Sequence, residues 1–286
     1  MLQQDQKQKT LKKAISLTGK GLFSGKYVHL TLYPSENTGI VFHRINQGEK
    51  ICFPSKLEYV QRAHMFTLLG TEKGGVQMVE HLLSALSAYG IDNVIVEVKG
   101  PEIPAVDGSA FPFVEMIEKA GIELLPKPRK EISLTQPVHW SDGAVHMVAL
   151  PSSHLQISYT LHYPENKFFR SQFATFSISP EIYKKEIAPA RTFSFYEEIQ
   201  PFLEKGFIKG GGLENAVVIK EEKILNPEGL RFPEEQARHK MLDLIGDLTL
   251  LGADVKAHII AIGSGHSSNI SFAKKLEKYV AMEKIL

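Results

Sequence analysis

Two pairs of polar residues lie far apart in this chain, and a fold can use them together only by bringing its two halves face to face. Glu80 and His81 sit in the apolar run Val79-Glu80-His81-Leu82-Leu83, and His239 and Asp243 sit in Arg238-His239-Lys240-Met241-Leu242-Asp243. Two histidines and one carboxylate are the usual protein ligands of a catalytic zinc whose fourth position stays open. If the segments meet, Glu80 stands beside such a site as a candidate base. If they do not, each is an ordinary helix with polar residues on it.

The cysteine content narrows the ligand set. Cys52 is the only cysteine, so an internal disulfide and a thiolate metal cluster are both excluded. A metal here must be held by histidine and carboxylate side chains. The formal net charge is +1, and no basic tail or Lys/Arg-rich face stands out, so nucleic acid is not an expected partner. Residues 1–13 are polar and rich in Gln and Lys, without the apolar core of a signal peptide. No run approaches the roughly 18 uninterrupted apolar residues of a membrane span. The expectation is a soluble, cytoplasmic protein, and 286 residues suit two ordinary domains better than one large one.

The pattern of residues restarts halfway. Alternation over 27–33 predicts a half-buried strand, with 39–43 as its neighbour. A helix over 77–89 follows, ended by Gly90, then a strand over 93–99 and a second helix over 111–120, stopped by Gly121. Two prolines and three cations over 125–130 read as a linker that resists both helix and sheet. Strands over 144–150 and 155–161 come next. The strongest helix covers 234–251, with Pro233 suited to its first turn and Gly252 after its last residue. A strand over 258–263 and a helix over 268–282 close the chain. Each half thus has strands, a helix bearing candidate ligands, a strand and another helix, with no convincing repeat at the level of residues.

His239 and Asp243 are four residues apart, which puts them on one helix face, and Asp247 continues the stripe. The opposite side carries Ala237, Met241, Leu244, Ile245 and Leu248. The apolar run over 248–252 implies a largely buried helix, in which a histidine and two carboxylates need partners. Glu80 and His81 point about 100° apart on a helix, so both can border one pocket, although they lack the H-E-x-x-H spacing. His266 lies in the Gly- and Ser-rich segment 263–269, where a histidine can titrate near neutral pH or simply occupy an exposed turn. Gly210, Gly211 and Gly212 would let backbone approach a ligand, or form a flexible turn. Residues 101–108 show no reactive pairing and read as a rigid loop that positions the helix after them.

Together with GKGLFSG (19–25), GIDNV (90–94), PEIPAVDGS (101–109), ARTF (190–193), GGGLENA (210–216), LRF (230–232) and SGH (264–266), the segments VEHLL (79–83) and RHKMLDLIGD (238–247) resemble one family. It is the UDP-3-O-acyl-N-acetylglucosamine deacetylases, zinc amidases of lipid A synthesis in Gram-negative bacteria. The segments follow the family's order over nearly the whole chain. The resemblance implies an α+β fold of two similar domains, each a β-sheet layered against helices, with the active site between them. The first domain, 1–126, would carry Glu80 and His81, and the second, 127–286, would carry His239, Asp243 and His266. It implies Zn2+ on His81, His239 and Asp243, Glu80 as general base, His266 as general acid oriented by Asp247, and Thr192 at the oxyanion. Lys240, Phe193, Phe195 and Gly211 would lie along the substrate. An insertion around 195–218 would form a passage for the fatty acyl chain, lined by Phe195, Ile199, Phe202, Leu203, Phe207 and Ile208, residues that would equally suit an ordinary core helix. The chain departs from the family at Gly263, where members often carry a basic residue, and at His64 and Phe66.

The reaction so implied removes the N-acetyl group of a UDP-linked, 3-O-acylated glucosamine as acetate, the committed step of lipid A biosynthesis. A monomer with transient contact to a membrane surface is the expected form. Two rivals stand beside it. A zinc amidase for a different acylated sugar would accept substrates without the 3-O-acyl chain. A nucleotide-sugar or lipid binding protein with a degenerate site would hold no zinc. Whether Glu80 or His266 protonates the leaving amine is open at the level of sequence.

Overall fold

The computed structural model describes residues 7–63, 65–163 and 171–283. Residues 1–6 of the polar amino-terminal stretch, and His64, lie outside the described residues. Strands β1 (Lys7–Leu11), β2 (Ile15–Lys20), β3 (Tyr27–Pro34), β4 (Ile40–Asn46) and β5 (Glu49–Pro54) open the chain. In β3 the alternation takes effect as expected: Val28, Leu30 and Leu32 share one face and are fully buried. Strands β6 (Val60–Gln61), β7 (Leu68–Thr71) and β8 (Gly74–Val76) make a small antiparallel sheet that leads into helix α1 (Glu80–Ala88). Strand β9 (Val94–Lys99) and helix α2 (Phe111–Ala120) follow.

The first large sheet has the order β2-β3-β9-β4-β5. The expectation that β4 neighbours β3 is corrected: β9 lies between them, antiparallel to β3 and parallel to β4. Val94, Val96 and Val98 are fully buried, which suits β9 to the centre. A parallel pair also needs a crossover of roughly a dozen residues or more. The small sheet and α1 supply it.

The segment read as a linker is mostly strand. β10 (Ile122–Pro128) pairs antiparallel with β1. In a two-stranded sheet each strand has a free edge, so Pro126 and Pro128 need not cost a ladder bond, and Leu125 is buried. Then come β11 (Glu131–Ser133), β12 (Val138–Asp142), β13 (Val145–Pro151), β14 (Gln156–His162) and β15 (Ser171–Ser177). A short helix α3 (Pro180–Ile182) runs into a π-turn (Tyr183–Ile187). Strand β16 (Phe193–Phe195), helix α4 (Tyr196–Glu204), and strands β17 (Val217–Lys220) and β18 (Lys223–Ile224) form a separate unit. Helix α5 (Glu235–Leu248), strand β19 (Asp254–Ile262) and helix α6 (His266–Glu283) end the described chain.

The second large sheet has the order β12-β13-β19-β14-β15, with β11 added along β19. Its strand senses repeat those of the first: the central strand is antiparallel to one neighbour and parallel to the other, and both outer pairs are antiparallel. A shared topology with no residue repeat is physically reasonable, because strand pairing is made by backbone groups that any sequence carries. Helix α1 precedes the central strand of the first sheet, α5 precedes that of the second, and the two helices pack on each other. Their backbones nearly touch at Gly246, where an added Cβ would lie 2.1 Å from the Glu80 carbonyl oxygen. Among the described residues no helix is long and apolar enough to cross a membrane.

Candidate metal centre and adjoining cavity

Helix α5 builds the site from one stripe. Glu235, His239, Asp243 and Asp247 recur every four residues and are all at least 98% buried. Helix α1 brings His81 from the other layer. His239 Nε2 lies 3.4 Å from Asp243 Oδ1, and His81 Nε2 lies 3.7 Å from the same oxygen. The three ligand atoms are all within 4.8 Å of one another. Tetrahedral ligands bound to zinc at about 2.1 Å are about 3.4 Å apart, so this spacing fits such an ion. Bonding preferences agree. His239 Nδ1 donates to the Ala190 carbonyl at 3.0 Å, which leaves Nε2 with its lone pair facing the cluster. Asp243 Oδ2 accepts from Lys240 Nζ at 2.9 Å, whereas Oδ1 is buried with no hydrogen-bond partner among the described residues. A buried carboxylate oxygen faced by two imidazole nitrogens is a site that suits a cation.

The charges support the same chemistry. Burial pushes His81 down to about 3, helped by the neighbouring His239, so it is a neutral imidazole at physiological pH. His239 is lowered by burial too. Burial opposes the charge on Asp243, but Lys240 and the histidines outweigh it and hold the carboxyl far below its usual range. Lys240 is raised in turn, with Asp243 overcoming its desolvation.

Next to the cluster stand a carboxyl and an imidazole with opposite assignments. Glu80 begins α1, not Gln77 as the periodicity suggests, because the Gln77 backbone bonds to Pro101 and Ile103 instead. Its Oε2 accepts from the Thr67 backbone N at 3.0 Å, and burial lifts its pKa to about 7. His266 is the first residue of α6, two residues before the expected start, so a helix holds it rather than a loose turn. Its Nδ1 lies 2.9 Å from Asp247 Oδ2, and its Nε2 lies 3.7 Å from Glu80 Oε1 and 3.8 Å from Asp243 Oδ2. Desolvation works against the imidazolium, but Asp247 and then Glu80 outweigh it and raise His266 to about 9. At neutral pH the site therefore holds a protonated histidine beside a carboxyl able to ionise, an acid and base pair set by environment.

Two participants were not foreseen. Thr67 Oγ1 donates to Asp247 Oδ1 at 2.6 Å, and Asn269 Nδ2 donates to Asp247 Oδ2 at 2.9 Å. Asn269 carried a usable signal, since it follows His266 by three residues on a helix. Thr67 carried none.

The cluster opens into a cavity of about 490 Å³. Glu80, His81, Thr192, Phe193, His239, Lys240, Asp243 and His266 are part of its lining. Most of the remaining lining is apolar, with Leu22, Ile199, Leu203, Ile208, Leu213 and Leu225, although Glu198 also lines it, and Gly211 contributes to the wall. The six residues expected in a passage separate. Ile199, Leu203 and Ile208 line the cavity, whereas Phe202 and Phe207 are exposed and do not. Phe195 is also outside the lining: its ring packs edge-on to Tyr163 at 5.4 Å and against Val217 and Ile219. The glycine run is a close contact, since a Cβ on Gly210 would lie 2.0 Å from the Gly21 carbonyl oxygen. The 101–108 loop secures that same region, because the buried Glu102 accepts from the backbone N of Phe23 at 3.0 Å and of Ser24 at 2.8 Å.

With this geometry in place, comparison with known proteins is specific. A family model described as UDP-3-O-acyl N-acetylglycosamine deacetylase matches residues 8–278. The UDP-3-O-acyl-N-acetylglucosamine deacetylases of Chlamydia pneumoniae and Chlamydia felis are each 44% identical over 271 residues, covering 94% of this chain and 96% of theirs. That of Chlamydia muridarum is 44% identical over 281 residues, 98% of each chain.

Proposed function

This chain belongs to the UDP-3-O-acyl N-acetylglycosamine deacetylase family, and we propose that it hydrolyses the N-acetyl group of a UDP-linked, 3-O-acylated glucosamine in lipid A biosynthesis, using zinc held by His81, His239 and Asp243. The observation that carries this reading is Asp243 Oδ1, buried between two imidazole nitrogens with no hydrogen-bond partner among the described residues, in the lining of a cavity whose other lining is mostly apolar. Bound there, zinc supplies a Lewis acid for the amide carbonyl and lowers the pKa of water.

The protein's own groups do the rest. Glu80 takes the proton of the attacking water: Thr67 fixes its Oε2, and its pKa near 7 suits a base at neutral pH. The Thr192 hydroxyl, on the cavity wall, donates to the oxyanion that forms at the carbonyl. Protonated His266 donates to the departing amine, which a neutral imidazole could not do, and Asp247 holds the ring by Nδ1 so that Nε2 faces the reacting group. Lys240, Phe193 and Gly211 border the substrate, and the wall of Ile199, Leu203 and Ile208 receives the acyl chain. That apolar wall favours an acylated sugar over an unacylated one. On this reading the site lies between two domains whose matching strand order supports the division, although the expected boundary at 126/127 falls within β10.

The test is acetate release from UDP-3-O-acyl-N-acetylglucosamine by the purified protein, before and after a chelator, and again after zinc is restored. Activity is expected to vanish and return. His81→Ala and His239→Ala should each lose bound metal and activity together. Full metal content in both variants would sink the ligand assignment, and equal turnover of a substrate lacking the 3-O-acyl chain would favour a different sugar.

A further inference from the structure

Arg191 is among the largest fully buried side chains, and its partner Glu235 is 0% exposed, yet the chemistry above uses neither. Glu235 opens α5 one turn before His239, on the same stripe. Its Oε1 accepts from the Arg191 backbone N at 3.0 Å and from Arg191 Nε at 2.8 Å. Its Oε2 accepts from Arg191 Nη2 at 3.2 Å and from the Arg231 backbone N at 2.7 Å. The remaining guanidinium donors reach Glu228 and, at 2.7 Å, the Gly229 carbonyl. Both chain neighbours of Arg191 belong to the site. The Ala190 carbonyl accepts from His239 Nδ1, and Thr192 lines the cavity.

We propose that the Arg191–Glu235 pair is a positioning device for metal capture, which holds the Ala190 carbonyl on His239 Nδ1 and so keeps His239 Nε2 aimed at the Asp243 oxygen. The proposal rests on the reading of His81, His239 and Asp243 as metal ligands. A neutral imidazole can carry its proton on either nitrogen, and only the Nδ1–H form leaves Nε2 free to bind a metal. The carbonyl selects that form. Its position is set by Arg191, whose backbone and side chain are fixed to the same carboxylate of the helix that bears His239. The 190–191 peptide cannot slide along α5 without separating a buried ion pair. Lysine would keep the charge but lacks the planar fork that serves Glu235, Glu228 and Gly229 at once.

The full-length protein, stripped of metal, is titrated with zinc against a competing chelator, and the histidine tautomers of the metal-free form are read by 15N NMR. The parent is compared with Arg191→Lys, with the double variant Arg191→Met/Glu235→Leu, and with Arg129→Lys. Arg129 serves as control because it bridges Asp92 and Asp254 outside the cavity lining. Arg191→Lys is expected to weaken zinc binding by roughly tenfold to a hundredfold and to release the fixed His239 tautomer, with Arg129→Lys binding like the parent. Parent affinity and tautomer in Arg191→Lys would overturn the proposal, as would an equal loss in Arg129→Lys. Should Arg191→Lys not fold, the double variant decides: weakened zinc binding in a folded protein supports the proposal, and parent affinity overturns it. Failure of both to fold would make the pair a folding requirement and not a positioning one, which also overturns it. A parent that binds no zinc, or His81→Ala that binds it undiminished, would instead sink the metal reading beneath.

Discussion

Glu80 owes its chemistry to where it sits. As the proposed base, it is a carboxyl 2% exposed with one oxygen fixed by a backbone N–H, so the fold sets its strength. Glu80→Gln keeps its size and both metal-facing histidines, so bound zinc should be retained while turnover drops by about 10²–10⁴-fold. Metal analysis alongside steady-state rates checks this, and an unimpaired variant would take Glu80 out of the mechanism. His266 gives a prediction with a sign. Desolvation lowers its pKa, Asp247 is the largest influence raising it, and the result is about 9. A proton donor works below its pKa and fails as pH rises through it. Asp247→Asn should therefore move the basic limb of kcat/KM to lower pH, whereas a lost structural contact alone would lower the profile without moving that limb. At this scale the helical stripe of His239, Asp243 and Asp247 could be read in advance, because a period of 3.6 residues is regular. Thr67 could not. It stands in an irregular segment, and its hydroxyl meets Asp247 across 180 positions of chain, a relation no local pattern encodes.

Among the elements, the contact of α1 with α5 places His81 opposite His239, and Gly246 permits it. An added methyl would meet the Glu80 backbone at 2.1 Å, and backbone cannot swing aside as a side-chain tip can. Gly246→Ala should cost about 1–3 kcal/mol of stability by overpacking, and more of its activity than that loss explains, since α1 must shift with Glu80 and His81 on it. Denaturant unfolding and kcat measured on the folded fraction separate the two effects. A variant with parent stability and rate would show that the helices approach less closely than this. Strand β16 and helix α4 yield a contrast between two positions that the sequence could not distinguish. Ile199 lines the cavity and Phe195 packs on Tyr163 and Val217. Ile199→Asn should flatten the dependence of kcat/KM on acyl length, worth about 0.8 kcal/mol per methylene in the parent, while Phe195→Asn should keep it. The reverse result would put Phe195 in the passage. Both residues look equally greasy in sequence, but Phe195 lies in β16, paired with β17, whereas Ile199 lies on α4, and that difference of element separates them. The linker reading failed for a related reason: prolines exclude a strand from the middle of a sheet but not from an edge.

For the molecule as a whole, the proposed metal ligands come from two layers built on separate sheets. His81 comes from the helix before β9, and His239 and Asp243 come from the helix before β19. The order of elements in the two halves could be read from the sequence, but the identity of their strand orders could not, because it is written in backbone pairing while the side chains differ. A ligand that binds only the assembled site stabilises the assembly by mass action, about 2.7 kcal/mol at a free concentration one hundred times its Kd. For a chain of this size that is roughly 4–5 °C in Tm. Zinc added to the stripped protein should raise Tm by that order, and the rise should depend on ligands from both halves. His81→Ala, altered only in the first half, should lose the shift as fully as His239→Ala, altered only in the second. The metal-free stability of each variant supplies the baseline, so a general loss of packing is not mistaken for a lost ligand. If His81→Ala kept the full shift while His239→Ala lost it, the metal would be held by α5 alone, and the two layers would be joined by the α1 and α5 packing without it.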